Sequence, residues 1–154
     1  MILIDNLRYD QWKSIEPYVV ENCKISTNIL YSSILPTTTQ YARNSIFSGL
    51  SPLELKKTHN NYWVSEVDEG GKNKYEDELL KNQLLKLESK IKYKYFKVTS
   101  SKDGNLFYDR LNNEKSNDLT VLVYNFVDMI SHAKKDVKFI KELASTDQAY
   151  RELT

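Results

Sequence analysis

The sequence lacks the residues that stabilise or anchor secreted and membrane proteins. Cys23 is the single cysteine among 154 residues, so no internal disulfide can form, and a lone thiol suits a reducing compartment. The first apolar run, Ile2–Ile4, is too short for the apolar region of a signal peptide. No later stretch approaches the roughly 20 apolar residues that a membrane helix needs. These absences predict a cytoplasmic protein without membrane insertion.

Uncompensated charge is also absent. The 22 Lys and Arg residues nearly balance the 21 Asp and Glu residues, which leaves a formal net charge of +1. Such a chain has no overall electrostatic attraction to nucleic acid or to an anionic membrane surface. An anionic substrate would therefore have to be bound by a local site.

Short apolar runs alternate with helical patterns along the chain, which predicts one α/β domain with crossover connections and a mostly parallel sheet. A charged loop at residues 66–77 and a turn at residues 100–104 are predicted between these elements. The predicted strands are residues 2–4, 25–35, 93–98 and 119–124, and the predicted helices are a segment around residues 12–19, residues 40–47, residues 75–91 and a C-terminal stretch after residue 132.

Polar residues that suit catalysis follow three of these four strands. Asp5 follows the first strand, the threonine triplet 37–39 follows the second, and Asp128 and His132 follow the last. In an open α/β sheet, sites gather at the carboxyl ends of the strands. Each group also has a simpler explanation, since Asp5 or the threonines would cap the next helix and Asp128 with His132 would form a surface pair one turn apart.

Together these groups are the parts of a metal-assisted phosphoryl transfer site. A threonine hydroxyl is a weak nucleophile at neutral pH and needs a base or a metal that favours its alkoxide. Carboxylate with imidazole suits zinc, whereas oxygen ligands alone would suit magnesium or manganese. Two metals about 4 Å apart would stabilise both the attacking and the leaving oxygens of an in-line displacement. The helix that starts after Thr39 adds backbone N–H donors for the anion.

Residues 36–52 resemble the nucleophile segment of the alkaline phosphatase superfamily. Their sequence is Pro-Thr-Thr-Thr-Gln-Tyr-Ala-Arg-Asn-Ser-Ile-Phe-Ser-Gly-Leu-Ser-Pro. Nucleotide pyrophosphatases of that superfamily have a proline, the nucleophilic threonine three residues later and a glycine ten residues after that. The corresponding positions here are Pro36, Thr39 and Gly49.

Two further segments carry the resemblance to the PglZ domain of this superfamily. Residues 4–12, Ile-Asp-Asn-Leu-Arg-Tyr-Asp-Gln-Trp, resemble its first strand and metal aspartate. Residues 125–132, Asn-Phe-Val-Asp-Met-Ile-Ser-His, resemble its Asp-x-x-x-His ligand pair, with Ser131 where pyrophosphatases have glycine. Along its whole length the chain resembles the PglZ domain of PorX-type response regulators of Bacteroidota.

The resemblance implies a three-layer α/β/α core with a mostly parallel sheet and a centre with two zinc ions. Asp5 and Thr39 would bind one ion, and Asp128 and His132 the other. Thr39 would attack phosphorus and form a phosphothreonine that water then hydrolyses, with Thr38 as the alternative nucleophile.

Two residues just past this threonine, Arg43 and Asn44, are candidates for binding the substrate phosphate. Local packing or capping is the alternative role for one or both of them.

The chain departs from the superfamily in its histidines. The superfamily completes its two metal sites with an Asp-His pair and a further histidine later in the chain, but this sequence has only His59 and His132. His59 precedes the long helix, out of order for a ligand, and is predicted to be exposed. Each zinc site thus has two protein ligands where at least three are usual. We therefore expect residues 1–154 to be the N-terminal portion of a PglZ domain truncated at its C-terminus.

Such a truncated portion would have partial zinc sites and would catalyse little by itself. It would also expose a sheet edge that favours a homodimer.

Two functions remain open. The first is a metal-dependent phosphoesterase, a phosphodiesterase for nucleotide-like substrates, in a two-component signalling protein that the resemblance links to type IX secretion and to protein partners in that pathway. Tyr62 and Trp63 could stack on a base, although such aromatics more often pack in a core or face a partner. The second is a non-catalytic interaction or regulatory module, which the incomplete ligand set and the lysine-rich helix at 75–91 would also fit.

Overall fold

The computed structural model of the chain describes residues 1–63, 73–88, 90–111 and 116–154. Contacts divide these residues into two units. We call Met1–Ile29 with Tyr93–Thr154 the sheet unit and Leu30–Lys92 the helical unit. The assignment of both units to one domain stays a prediction.

A parallel sheet forms the centre of the sheet unit. In the described residues it has three strands, β1 (Ile2–Ile4), β2 (Tyr93–Val98) and β3 (Leu119–Tyr124), in the order β1-β3-β2. Both Ile4 and Val98 pair with Tyr124, so the three strands end at one level. Val121 and Val123 of β3 are completely buried, as expected for a central parallel strand that is covered on both faces.

Helices connect and flank these strands. The crossover from β2 to β3 contains α5 (Ser101–Leu111), and α1 (Tyr9–Val20) follows β1. After β3 the chain forms α6 (Phe126–Asp136), α7 (Lys138–Leu143) and α8 (Asp147–Leu153), which share a core of Ile130, Ala144 and Tyr150. The predicted α/β class with a parallel sheet is therefore confirmed.

The helical unit contains α2 (Thr39–Ser48), α3 (Pro52–Thr58), a single 3₁₀ turn (Asn60–Tyr62) and α4 (Glu76–Lys86). Helix α2 ends at Gly49, whose φ of 64° lies in the left-handed region that glycine adopts most easily. Helix α3 starts with a reciprocal pair of hydrogen bonds between Ser51 and Glu54. The buried apolar side chains of the helical unit are Phe47, Leu55, Leu79 and Leu80.

The prediction of a strand at residues 25–35 is wrong. This segment contains neither helix nor strand, and Ile29, Tyr31 and Leu35 are 75%, 79% and 84% exposed. β-Branched residues favour a strand only where a neighbouring strand pairs with the backbone. Among the described residues, no strand pairs with this segment.

The predicted turn at residues 100–104 is instead the start of α5. The Asp103 N–H donates to Ser100 Oγ at 3.2 Å, and the Thr99 N–H donates to Asp103 Oδ2 at 3.1 Å. A serine followed three residues later by an acidic residue is a helix-start pattern, and here it prevails over the turn tendency of Gly104.

The structure differs less from the predicted bounds of the helix at residues 75–91 and of the loop at residues 66–77. The helix predicted at 75–91 ends at Lys86, shortly before Glu88 takes a φ of 52°. Of the loop predicted at 66–77, residues 66–72 lie outside the described residues, and residues 73–75 form a turn. Throughout the described parts of the chain, each helix is too short or too polar to cross a bilayer.

Two glycines are expected to respond oppositely to replacement by alanine. Gly49→Ala should lower the free energy of unfolding by about 1–2 kcal/mol, because alanine tolerates the left-handed region poorly. Its Cβ would also lie 2.7 Å from Gln83 Nε2. Gly104→Ala should raise that free energy by about 0.5–1 kcal/mol, because Gly104 is helical. Its nearest neighbour would be Val98 Cγ1 at 3.8 Å. Urea unfolding of both variants measures this, and a shift of the same sign in both would contradict the assigned conformations.

Candidate functional site

The first acidic candidate lies at the carboxyl edge of the sheet. Asp5 directly follows β1, and its backbone N–H donates to the Tyr124 carbonyl oxygen at 3.1 Å, which extends the pairing of β1 with β3 by one residue. Its side chain is buried, at 8% exposed. Asn6 then adopts a φ of 59°, which turns the chain out of the sheet towards α1. Asp5 thus lies at the end of β1, where the sequence predicted it.

The carboxylate and imidazole candidates lie side by side on α6. Asp128 is in the first turn of this helix, where a negative charge is stabilised by the helix dipole. His132 follows one turn later, and the distance from its Nε2 to Asp128 Oδ1 is 3.6 Å. The His132 side chain is 71% exposed and that of Asp128 24% exposed. The structure therefore presents one oxygen donor and one nitrogen donor together on α6, the helix that follows β3.

These donors fit zinc in type but not in number. Carboxylate oxygen and imidazole nitrogen are ordinary zinc ligands, and at least three protein ligands are usual. Among residues 1–63, 73–88, 90–111 and 116–154, no three His, Cys, Asp or Glu side chains are grouped closely enough to hold a metal. The Asp128–His132 pair thus supplies two of the ligands that a zinc ion would take.

The threonine candidate lies in the helical unit, at the start of α2. Thr39 is the first helical residue and is partly exposed. Thr38 precedes it in extended conformation, and its carbonyl oxygen accepts hydrogen bonds from the N–H groups of Tyr41 and Ala42, each at 3.0 Å. The Thr38 side chain makes no capping hydrogen bond. The first N–H groups of a helix point along its axis away from the helix body, and Thr39 lies at that end of α2.

The two candidates that follow Thr39 are both buried. The Arg43 guanidinium forms a bidentate ion pair with Glu76 at the start of α4, with 2.6 Å from Nε to Oε1 and 2.5 Å from Nη2 to Oε2. Arg43 is 3% exposed, Glu76 1% and Asn44 1%. This pair joins α2 to α4. Arg43 therefore has the local packing role that the sequence analysis gave as its alternative. Contact of Arg43 and Asn44 with a substrate phosphate stays a prediction.

Aromatic side chains of the helical unit contact one another in pairs. The ring centroids of Tyr41 and Trp63 are 5.3 Å apart, as are those of Tyr62 and Tyr75. His59, which was predicted to be exposed, is partly buried and stacks on Tyr62 at 6.0 Å. Packing therefore accounts for Tyr62 and Trp63, and their stacking on a base stays a prediction.

Sequence reasoning missed Glu76, the partner of Arg43. The acidic run 76–78 at a helix start was visible, but a dipole preference explains such a run without any partner. The two residues are 33 positions apart, so no helical periodicity connects them.

The predicted site residues are divided between the two units. Asp5, Asp128 and His132 belong to the sheet unit, and Thr39, Arg43 and Asn44 belong to the helical unit. The convergence of Thr39 with the metal ligands therefore stays a prediction.

A parallel α/β sheet with an aspartate at the end of β1 and another in the first turn after β3 fits an alkaline-phosphatase-like domain. The family model described as the BREX system PglZ alkaline phosphatase-like domain matches residues 1–154. The chain belongs to this PglZ family. No curated protein sequence matches it. The predicted family is thus confirmed, and the closer likeness to PorX-type regulators stays a prediction.

Removing either partner of the buried ion pair should strongly destabilise the protein. Arg43→Met and Glu76→Gln should each lower the free energy of unfolding by about 3–5 kcal/mol, because each removes a charge that compensates the buried charge of the other group. The double variant should cost less than the sum of the two. As a matched control, Lys81→Met removes a cation from the exposed Lys81–Glu78 pair of α4 and should change stability by less than about 0.5 kcal/mol. Urea unfolding tests this, and equal effects at Arg43 and Lys81 would contradict it.

Proposed function

We propose that the chain is part of a metal-dependent phosphoesterase, a phosphodiesterase that cleaves nucleotide-like substrates through a threonine nucleophile. Membership of the PglZ alkaline phosphatase-like family supports the reaction class. The observation that carries the proposal is the Asp128–His132 pair on α6, with 3.6 Å between Oδ1 and Nε2. Asp128 lies in the first turn of this helix, which starts directly after β3, and sites of α/β sheets gather at the carboxyl ends of the strands.

In this mechanism Thr39 Oγ1 attacks the phosphorus of the diester. A bond forms between Oγ1 and phosphorus as the bond from phosphorus to the leaving oxygen breaks. The threonine hydroxyl proton goes to solvent, and the leaving oxygen takes a proton from solvent to become the alcohol. Water then attacks the phosphothreonine, which restores Thr39 and releases a phosphate monoester. The N–H groups at the start of α2 stabilise the negative charge on the phosphoryl oxygens. Thr38 is the alternative nucleophile.

Two zinc ions are the proposed cofactors. Asp5 and Thr39 would hold one, and Asp128 and His132 the other. When bound, zinc neutralises charge on the attacking and leaving oxygens.

Thr39 should be necessary for turnover. In a PglZ protein that contains this chain together with a complete set of zinc ligands, Thr39→Ala should lower kcat for bis(p-nitrophenyl) phosphate by at least about 100-fold, since loss of the nucleophile removes the covalent route. Thr38→Ala, which changes the neighbouring hydroxyl, is the matched control and should retain most activity. Absorbance of the released p-nitrophenolate measures both rates. A larger loss in Thr38→Ala would transfer the nucleophile role to Thr38, and no loss in either would exclude a threonine nucleophile.

The ligand pair should determine zinc affinity. Asp128→Asn and His132→Ala should each weaken zinc binding by at least about tenfold, because each removes one of few donors. His59→Ala is the control, since His59 contacts Thr58 Oγ1 and stacks on Tyr62. Competition with a chromogenic chelator gives the dissociation constants. Equal weakening in His59→Ala would show that zinc binds this chain nonspecifically.

The wider setting that we propose is a cytoplasmic two-component signalling protein of the PorX type, with partners in type IX secretion and a homodimer as its assembly. A non-catalytic interaction or regulatory module is the second candidate. The number of donors favours it, because the described residues group only two where zinc usually takes three or more. Intact binding of a protein partner together with no zinc-dependent hydrolysis would select this second function.

A further inference from the structure

A cleft outside the predicted metal ligands opens at the carboxyl ends of β2 and β3. Its volume is about 310 Å³, within the range of small-molecule sites. One wall is the start of α5, with Ser101, Gly104 and Asn105, and the other is the end of β3 and the start of α6. No sequence motif pointed to it, because its residues come from four elements.

The walls of the cleft are aromatic and apolar, with a polar rim. Tyr124 and Phe126 line it with ring centroids 6.0 Å apart, and Met129 lies beside them. Phe126 is 40% exposed and Met129 46% exposed, so both surfaces are accessible. The hydroxyl of Ser101 and the amide of Asn105 lie one turn apart on α5, at the rim. Among the described residues that line the cleft, none is charged.

Two other hydroxyls of the cleft are already used by the helix cap. Thr99 Oγ1 donates to Asp103 Oδ2 at 2.9 Å, and Ser100 Oγ accepts from the Asp103 N–H at 3.2 Å. Hydrogen bonds from Ser100 and Thr99 hold the pKa of the Asp103 carboxyl below its usual range. The cap therefore fixes the backbone of this wall, and Ser101 and Asn105 are the polar side chains that face a ligand there.

We propose that this cleft binds the nucleobase of a nucleotide-like substrate. A base is flat, uncharged and aromatic, with hydrogen-bonding edges, so it stacks on Tyr124 or Phe126 and pairs with the hydroxyl and amide of α5. A phosphate suits the cleft less well, because no described lining residue supplies a cation and the Asp103 carboxylate lies in the first turn of α5. Phe126 and Met129 lie on the same helix as Asp128 and His132, and the proposed function would put the substrate phosphate at that ligand pair. This last step rests on the proposed function, whereas binding of the base does not.

Gly104 keeps the α5 wall open. A Cβ there would contact Val98 Cγ1 at 3.8 Å, an ordinary van der Waals distance, so a side chain is tolerated by the backbone and grows into the cleft. Gly104→Met should thus block the cleft with its side chain. The substitution also removes a glycine from a helix, which should stabilise α5. Lys102→Met puts the same side chain at an exposed position of α5 that does not line the cleft.

The test is titration of the metal-free protein with adenosine, guanosine, cytidine and uridine, followed by amide and methyl NMR. At least one nucleoside should bind and shift the Gly104 amide and the Met129 methyl signals. Gly104→Met should weaken that binding by at least about tenfold, and Lys102→Met by less than about twofold. Thermal unfolding of Gly104→Met should show an unchanged or higher Tm, so lost binding would not reflect lost folding.

Four outcomes overturn the proposal: no nucleoside binds, Gly104→Met binds as the unmodified chain does, Lys102→Met weakens binding equally, or benzyl alcohol binds as tightly as the best nucleoside. Failure of the proposed function looks different. Nucleoside binding blocked by Gly104→Met, together with hydrolysis that is indifferent to Thr39→Ala, would leave the cleft assigned and remove the nucleophile. Hydrolysis that requires Thr39 without any nucleoside binding would do the reverse.

Discussion

Parallel hydrogen bonding of β3 to β1 on one side and β2 on the other is the constraint on which the sheet unit depends. Because Ile4 and Val98 both pair with Tyr124, three distant parts of the chain end at one level. Three segments of this unit come directly after that level: Asp5, the capped start of α5, and the first turns of α6. The position of these segments at one edge of the sheet is thus a consequence of strand register.

The helical unit is organised by different forces. Here a buried Arg43–Glu76 pair joins two helices that also share an apolar core, and Gly49 ends α2 close to Gln83 of α4. An ion pair of this kind contributes less to net stability than to geometry, because its attraction is largely offset by desolvation. Its effect is to fix how α2 packs on α4. It thereby also fixes the position of Thr39, the first residue of α2, relative to α4.

The sequence predicted those features that depend on local pattern. The run 119–124 could only be a buried strand, and Asp128 with His132 fall on one helix face by spacing alone. Prediction failed where a partner far along the chain decides the outcome. Residues 25–35 have strand composition, but no described strand lies beside them. Glu76, the partner of Arg43, was missed because nothing local reveals it. At Ser100 the spacing of serine and acidic residue typical of a helix start was present in the sequence. The cleft at the ends of β2 and β3 was not predicted, because four separate elements build it.

The strand order also determines when the sheet can form. Among the described residues β1 pairs with β3, so β1 gains its partner strand only after the chain as far as Tyr124 has emerged from the ribosome. At about 5–20 residues per second, that wait is on the order of ten seconds. During it the apolar residues of β1 stay without their sheet, and closing so long a loop is slow compared with forming the local helices. The helical unit, whose contacts lie within Leu30–Lys92, has no such delay, so biosynthesis favours an order of events in which α2 to α4 assemble before the sheet edge exists.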